Sequence, residues 1–424
     1  MLRTKHVNQE IFDCKSFTNF KNAANFSRLL IISSIKGYIM LAKHKLRRLM
    51  VSVRIENLTK SYRGKKVIND VTLEFKDKTF TTILGPPGAG KTTLLKLIAG
   101  IIKPDVGRIY FNDEDVTDLP AKDRNVAMIF QSFALYPNKK VYDNIATPLV
   151  LKKLPADEIR RRIKEVTEML GISELLDRFP AQLSGGEQQR VAIARALVKE
   201  ANVYLFDEPL TNLDYKIRET MRAELKTIFA ERGGTVIYAT PDPLDTLTMS
   251  QYVAMLNEGK VHQYGEVMDV YYNPADAFVG RYFSFPPMNM IPADVVQSNG
   301  RLFLKFLDQS LDVTKLADLI GSEKTVIVGV RPGDFSLETE KPESELVITG
   351  EVIITEVIGS ETIVHLKCND QRVSAFIAKI FRVMPGEKLS MGAKFDDIYL
   401  FRDSDKKFIG RLGRLLREGV KPQA

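Results

Sequence analysis

The residues Gly85-Pro86-Pro87-Gly88-Ala89-Gly90-Lys91-Thr92-Thr93 have the types and spacing needed to hold a chain of phosphates. They fit G-x-x-x-x-G-K-[ST], a loop whose backbone N–H groups converge on anionic oxygens. Pro86 and Pro87 donate nothing, but the donors from Gly88 to Thr93 remain. Lys91 is placed to reach the terminal phosphates, and the Thr92 hydroxyl to ligate Mg²⁺. The elements around the loop are the ones this chemistry requires. The β-branched run Thr79–Leu84 reads as a buried strand, and Leu94–Ala99 reads as a helix whose N-terminus points its positive dipole end at the phosphates. An ordinary glycine-rich turn is the bland alternative, and the strand–loop–helix context weighs against it.

A second apolar strand, Asn202–Phe206, runs into Asp207-Glu208-Pro209. A carboxylate at such a strand end holds Mg²⁺ through water, which suits Asp207. The next carboxylate, Glu208, is placed to orient or deprotonate an attacking water. A solvated strand end is the alternative for this pair.

Leu183-Ser184-Gly185-Gly186-Glu187-Gln188-Gln189-Arg190 before an amphipathic helix resembles the signature of ATP-binding-cassette ATPases. In that family two cassettes sandwich two ATP molecules head to tail. Ser184, Gly185, Gly186 and Gln188 would then act on the ATP held by the opposite protomer. The resemblance implies further roles, position by position. Tyr62 matches the aromatic that stacks on adenine. Gln131, after the strand Asn125–Phe130, matches the glutamine that senses Mg²⁺ and water. Ser132–Pro137 resembles the surface that receives a membrane subunit's coupling helix. Asp214, in Leu210-Thr211-Asn212-Leu213-Asp214, matches the loop that crosses the dimer interface. A helical subdomain at about 132–184 includes the amphipathic stretch Asp157–Leu170.

One position departs from the pattern. After the strand Thr235–Ala239 the family places a histidine, and this chain has Pro241, in Thr240-Pro241-Asp242-Pro243. Proline offers no side-chain donor to a phosphate or a water. Slow turnover at this chain's own site is therefore expected, with a second cassette that keeps its histidine as the favoured partner. A homodimer in which Glu208 suffices is the alternative.

Beyond Tyr282 the pattern changes to short alternating strands: Arg301–Phe306, Thr325–Val330, Leu346–Thr355, Thr362–Lys367 and a last pair near Val373–Phe376 and Ile398–Phe401. That spacing suits a small β-barrel. Val330-Arg331-Pro332-Gly333-Asp334 and Ile358-Gly359-Ser360-Glu361-Thr362 resemble motifs in the regulatory OB-like domain of carbohydrate-importer ATPases, a subfamily that includes the maltose importer ATPase. Asp115–Asn125 resembles the same subfamily. The basic end, Arg411, Arg414, Arg417 and Lys421, reads as a solvated helix face.

Charge and composition bound the rest. The chain has 424 residues and a net charge of +8. Residues 1–50 hold ten Lys/Arg and two Asp/Glu, which accounts for all of that excess. The remainder is neutral, so no nucleic-acid partner is expected. Two distant cysteines, Cys14 and Cys368, and four scattered histidines suggest neither a disulfide framework nor a zinc site. Leu29–Ala42 is apolar but shorter than the roughly 20 residues of a membrane span.

The expected fold is an α/β P-loop NTPase cassette with an antiparallel β subdomain and a helical subdomain, followed by an all-β OB-like C-terminal domain. The expected boundaries are a basic extension at 1–50, an ATPase domain at 51–283 and a C-terminal domain at 284–424. The resemblance implies ATP and Mg²⁺, a peripheral place on the cytoplasmic face of the membrane, and two membrane-spanning permease subunits. It also implies an indirect link to an extracytoplasmic solute-binding protein. The alternative from another class is a nucleotide-binding, weakly hydrolytic partner or regulatory subunit. A DNA- or ribosome-directed cassette fits less well, because such relatives usually carry two cassettes or long coiled coils.

Overall fold

The computed structural model describes residues 51–418 except 212 and 338–343. The apolar run Leu29–Ala42, Cys14 and Lys421 lie outside the described residues.

The chain opens on the strand Val53–Tyr62. Its inward residues Val53, Ile55 and Leu58 are fully buried. It pairs antiparallel with Lys65–Phe75 and with Val106–Phe111, and the short strand Glu114–Asp115 completes a four-stranded sheet. Helix Lys91–Ala99 packs between this sheet and the next, with Leu94, Leu95, Leu97 and Ile98 at zero exposure.

The second sheet has six strands in the order Lys260–Glu266, Tyr252–Asn257, Phe80–Leu84, Thr235–Thr240, Val203–Asp207 and Val126–Ile129. Its inner strands are parallel, and Phe80–Leu84, Thr235–Thr240 and Val203–Asp207 are buried at every residue. Such continuous burial is the mark of a parallel sheet covered on both faces. One cover is the helix just described. The other is formed by the helices Val141–Leu151, Ala156–Met169, Gly185–Leu197 and Tyr215–Arg232, which share one apolar core with Phe206 and Tyr238. Ala156–Met169 keeps Ile159, Ile163 and Val166 on its inner face and ion pairs such as Arg161–Glu165 on its outer face. This three- and four-residue spacing is what the sequence showed.

The tail is all-β. A six-stranded and a five-stranded antiparallel sheet enclose a common core that includes Val328, Leu366 and Leu400. Several expected strands appear, extended by a residue or a few at their ends, such as Leu346–Ile358 and Glu361–Cys368. The last two expected strands are present and lie in different sheets. Gln371–Ile377 pairs with Glu361–Cys368, whereas Ile398–Arg402 pairs with Thr325–Val330 in the other sheet. At the basic end Arg414 and Arg417 lie exposed on a helix, as expected, and only Arg411 is corrected. Arg411 closes the strand Phe408–Arg411 and donates from Nε to Asp396 O at 2.6 Å. Arg417, on the helix Leu412–Glu418, ion-pairs with Asp396 at 2.7 Å.

Arg331 ties the tail to the first part of the chain. The residue is 2% exposed, and its guanidinium carbon lies 3.8 and 4.5 Å from the ring centres of Tyr271 and Tyr399. A desolvated cation held between two aromatic faces is a strong contact.

Candidate nucleotide-binding and hydrolysis site

The phosphate loop follows the buried strand Phe80–Leu84 and leads into the helix that begins at Lys91. Its shape depends on glycine at two positions. A Cβ on Gly85 would lie 2.0 Å from Leu256 O, and one on Gly90 would lie 2.7 Å from Val67 O at a φ of +108°. The second contact lays the loop against the strand Lys65–Phe75, which pairs with the strand ending at Tyr62. Tyr62 is 46% exposed, with Lys60 Nζ 5.8 Å from its ring centre. An exposed aromatic face beside a phosphate loop suits stacking on a base.

Lys91 is buried, and its ammonium has three oxygen partners. It donates to Gly85 O at 2.8 Å and Pro86 O at 3.0 Å, and it pairs with Glu208 Oε1 at 3.1 Å. The Thr92 hydroxyl donates to Asp207 Oδ1 at 2.7 Å. Residues more than a hundred positions apart in the chain therefore meet as two pairs, Lys91 with Glu208 and Thr92 with Asp207. The parallel sheet causes this, because the carboxyl ends of neighbouring strands form one rim. Burial pushes the Asp207 carboxyl above its ordinary range; the Thr92 hydroxyl works the other way, and the Glu208 charge adds to the rise. A buried carboxylate beside a hydroxyl, with a second carboxylate nearby, is an oxygen donor set suited to a hard cation. Among the described residues no cluster of three or more His, Cys, Asp or Glu side chains forms a separate metal site.

Glu208 stands in the left-handed backbone region, at φ 48°, and its N–H donates to Ala239 O at 2.9 Å. A non-glycine residue held there is strained by about 1–3 kcal/mol, and such residues concentrate at functional sites. Pro241 lies at the end of the neighbouring strand and accepts a hydrogen bond from Tyr282 OH at 2.9 Å. Gln131 is exposed just beyond the strand Val126–Ile129. The loop after it is held by Arg195, which donates to Phe133 O and Ala134 O at 2.8 Å each. Asn144, fully buried, pins Tyr136 at both its N–H and its carbonyl.

Ser184 caps the helix Gly185–Leu197 through a reciprocal pair with Glu187, whose backbone N–H donates to Ser184 Oγ at 3.3 Å. Gly185 is exposed and Gly186 is packed against Ile217, with a Cβ there 3.2 Å from that side chain. Gln188 directs its amide inward, to Pro180 O and Leu183 O at 3.1 and 3.2 Å. It shapes the turn that presents Ser184. Asp214 caps Tyr215–Arg232, accepting from Ile217 N at 3.0 Å. Ser184, Gly185 and Asp214 are exposed.

A charge cluster that the sequence did not reveal lies beneath Pro241. Arg222 Nε meets Asp245 Oδ1 at 2.6 Å and its Nη2 meets Asp242 Oδ2 at 2.8 Å. Arg218 pairs with Asp242, and Thr240 and Tyr238 hydroxyls donate to Asp245. Arg218 and Arg222 are four apart on one helix, so they share a face. That spacing, with the two aspartates of Asp242–Asp245, was the available signal.

These features match known proteins. Residues 68–211 match the model of the ABC transporter family. The trehalose/maltose import ATP-binding protein of Thermococcus litoralis is 40% identical over 85% of this chain and 100% of its own length. The chain belongs to the ABC transporter ATPases. Other ABC relatives include the oligosaccharides import ATP-binding protein of Bacillus subtilis, 37% identical over 83% of this chain and 98% of that protein. The sn-glycerol-3-phosphate import ATP-binding protein of Bordetella avium is 35% identical over 81% and 94%. Among the described residues no helix of this ABC chain is long and apolar enough to cross a membrane.

Proposed function

We propose that this chain is the ATP-hydrolysing, energy-coupling subunit of an importer for a sugar or a related polyol or sugar-phosphate. It would sit on the cytoplasmic face of the membrane, against two membrane-spanning permease subunits supplied by an extracytoplasmic solute-binding protein. The relatives named above, which import such solutes, support the substrate class. The observation that carries the chemistry is the meeting of Lys91 with Glu208 and Thr92 with Asp207.

In this reading the N–H groups of Gly88–Thr93 and the helix dipole bind the phosphates of ATP. Phosphate oxygens compete with Gly85 O, Pro86 O and Glu208 for the Lys91 ammonium. Lys91 then shifts toward the β- and γ-phosphates and leaves the Glu208 carboxylate to orient the attacking water. Mg²⁺, held by Thr92 and Asp207 with Gln131 nearby, would supply positive charge at the phosphate oxygens. Tyr62 stacks on adenine. Ser184, Gly185 and Gly186 offer a hydroxyl and a helix N-terminus to the ATP of the opposite protomer, and Asp214 lines the interface. The loop from Gln131 to Asn144, braced by Arg195, passes closure to the permeases.

In this reading the ATPase domain spans 51–283 and the regulatory OB-like domain begins at 284, while residues 1–50, expected as a basic extension, lie outside the described residues. The second reading is a weakly hydrolytic member of a heterodimeric pair. It rests on Pro241 alone, and the relatives do not favour it; a homodimer in which Glu208 suffices agrees better with an ATPase. The deciding experiment is co-purification with the permeases encoded nearby, followed by ATPase assay in lipid vesicles. Stimulation by a sugar-loaded binding protein is expected. A chain that binds no permease and ignores every sugar would sink the proposal.

A further inference from the structure

Pro241 and Glu208 end adjacent parallel strands. Asp207 lies opposite Ala239, and the Glu208 N–H donates to Ala239 O. One strand end thus carries a carboxylate and the other a ring with no donor. A hydroxyl reaches this place from elsewhere. Tyr282, the last residue of the helix Ala277–Tyr282, donates its OH to Pro241 O at 2.9 Å. Its half-buried ring stacks on Phe278 with centroids 5.6 Å apart, which fixes its direction. The next residue, Asp242, caps the helix Pro243–Met249 and pairs with Arg222 at 2.8 Å. The turn after the strand is therefore held from two sides, at Pro241 by a phenol and at Asp242 by a guanidinium. Burial, and then the charges of Glu208 and Asp242, push the phenol up to about 12, so it remains a protonated donor at neutral pH.

We infer that Tyr282 is a positioning residue for ATP hydrolysis: its hydroxyl pins the Pro241 backbone and so fixes the Glu208 carboxylate against the attacking water, in a chain whose residue 241 has no side-chain donor. The inference rests on the reading of Glu208 as the water-orienting carboxylate. The phenol keeps its proton throughout and forms no bond with substrate.

The test is Tyr282→Phe in the full chain, which keeps the ring and its stack. Steady-state and single-turnover hydrolysis of MgATP are measured, together with ATP affinity and the thermal midpoint. The loss of one neutral hydrogen bond should lower kcat about three- to tenfold, with KM and ATP affinity within about twofold of the parent. In a Pro241→His background the same substitution should cost less than about twofold, because the imidazole brings its own donor. Unchanged kcat, an equal loss in both backgrounds, or a lower thermal midpoint without a change in kcat would each overturn the inference. Glu208→Gln is measured alongside. If that variant still turns over normally, the reading of Glu208 fails; if it is dead and Tyr282→Phe is unaffected, only the role of Tyr282 fails.

Discussion

Asp245→Ala should be among the most destabilising single changes in the ATPase part of the chain. Asp245 is 3% exposed and holds Arg222 Nε at 2.6 Å, Thr240 Oγ1 at 2.7 Å and Tyr238 OH at 3.2 Å. The substitution removes all three contacts at once. Breaking a buried ion pair from one side costs about 3–5 kcal/mol. Arg222 keeps Asp242 at 2.8 Å, which puts the expected cost at the lower end, about 3 kcal/mol. In a unit of about 150–250 residues, the size class of the ATPase part, about 1 kcal/mol moves the thermal midpoint by about 2–4 °C, so a fall of about 6–12 °C is expected for its transition. Asp245→Asn keeps an acceptor for Thr240 and Tyr238 and should lose roughly half as much. Replacing the pair together, as Arg222→Met with Asp245→Leu, should recover part of the loss, because no lone charge stays buried between them. Calorimetry of the purified variants gives the midpoints. Because the cluster underlies the Pro241–Asp242 turn, ATP turnover should fall in Asp245→Ala even at temperatures where the variant is folded. A fall of less than about 2 °C, with normal turnover, would show that the cluster supports neither the fold nor the turn.

Lys91→Ala should weaken ATP far more than AMP, by about tenfold or more, since a charge-assisted contact to phosphate is worth about 1.5–3 kcal/mol. Tyr62→Ala should weaken ATP, ADP and AMP alike, and isothermal titration separates the two patterns. Asp334 is pushed up to about 6, mainly by burial and then by the Asp397 charge, while Arg331 and Arg411 pull the other way. Its folded value is above the unfolded one, so the stability linked to its protonation is full below about pH 4 and is lost as pH rises through about 6. Asp334→Asn should therefore raise the thermal midpoint at pH 7.5 and give no gain at pH 4; a gain at acid pH alone would reverse the sign. Finally, a chain starting at Met50 should keep its thermal midpoint and ATP affinity, and a loss of several degrees would show that residues 1–50 support the fold.

The phosphate loop, the Asp207-Glu208 strand end and the signature were legible in the sequence because each is local. Their spacing is fixed by one turn, one strand end or one helix cap. The buried strands of the parallel sheet were legible for a similar reason, since runs such as Thr235–Ala239 carry little polarity. What escaped depends on distant partners. Nothing near Pro241 in the sequence points to Tyr282, and Arg331 gives no sign of the two rings that enclose it. The strand Asn289–Ser298 was missed because Pro292 and Asp294 interrupt its pattern, and Lys388–Ala393 because Ser390 and Gly392 weaken its propensity. The neighbours of the last tail strands were not legible, because periodicity shows which face of a strand is buried and not which neighbour it takes. Arg411 was read as helical from its spacing with Arg414 and Arg417, and the helix begins one residue later.

In the proposed mechanism Glu208, released from Lys91 when phosphate arrives, orients the water that cleaves ATP. Single-turnover hydrolysis of MgATP by the full chain, parent against Glu208→Gln, tests it most directly. Loss of a positioned base costs about 10²–10⁴ in rate. A fall of that size, with ATP binding intact, is expected. A variant that binds ATP normally and hydrolyses it within twofold of the parent would contradict it.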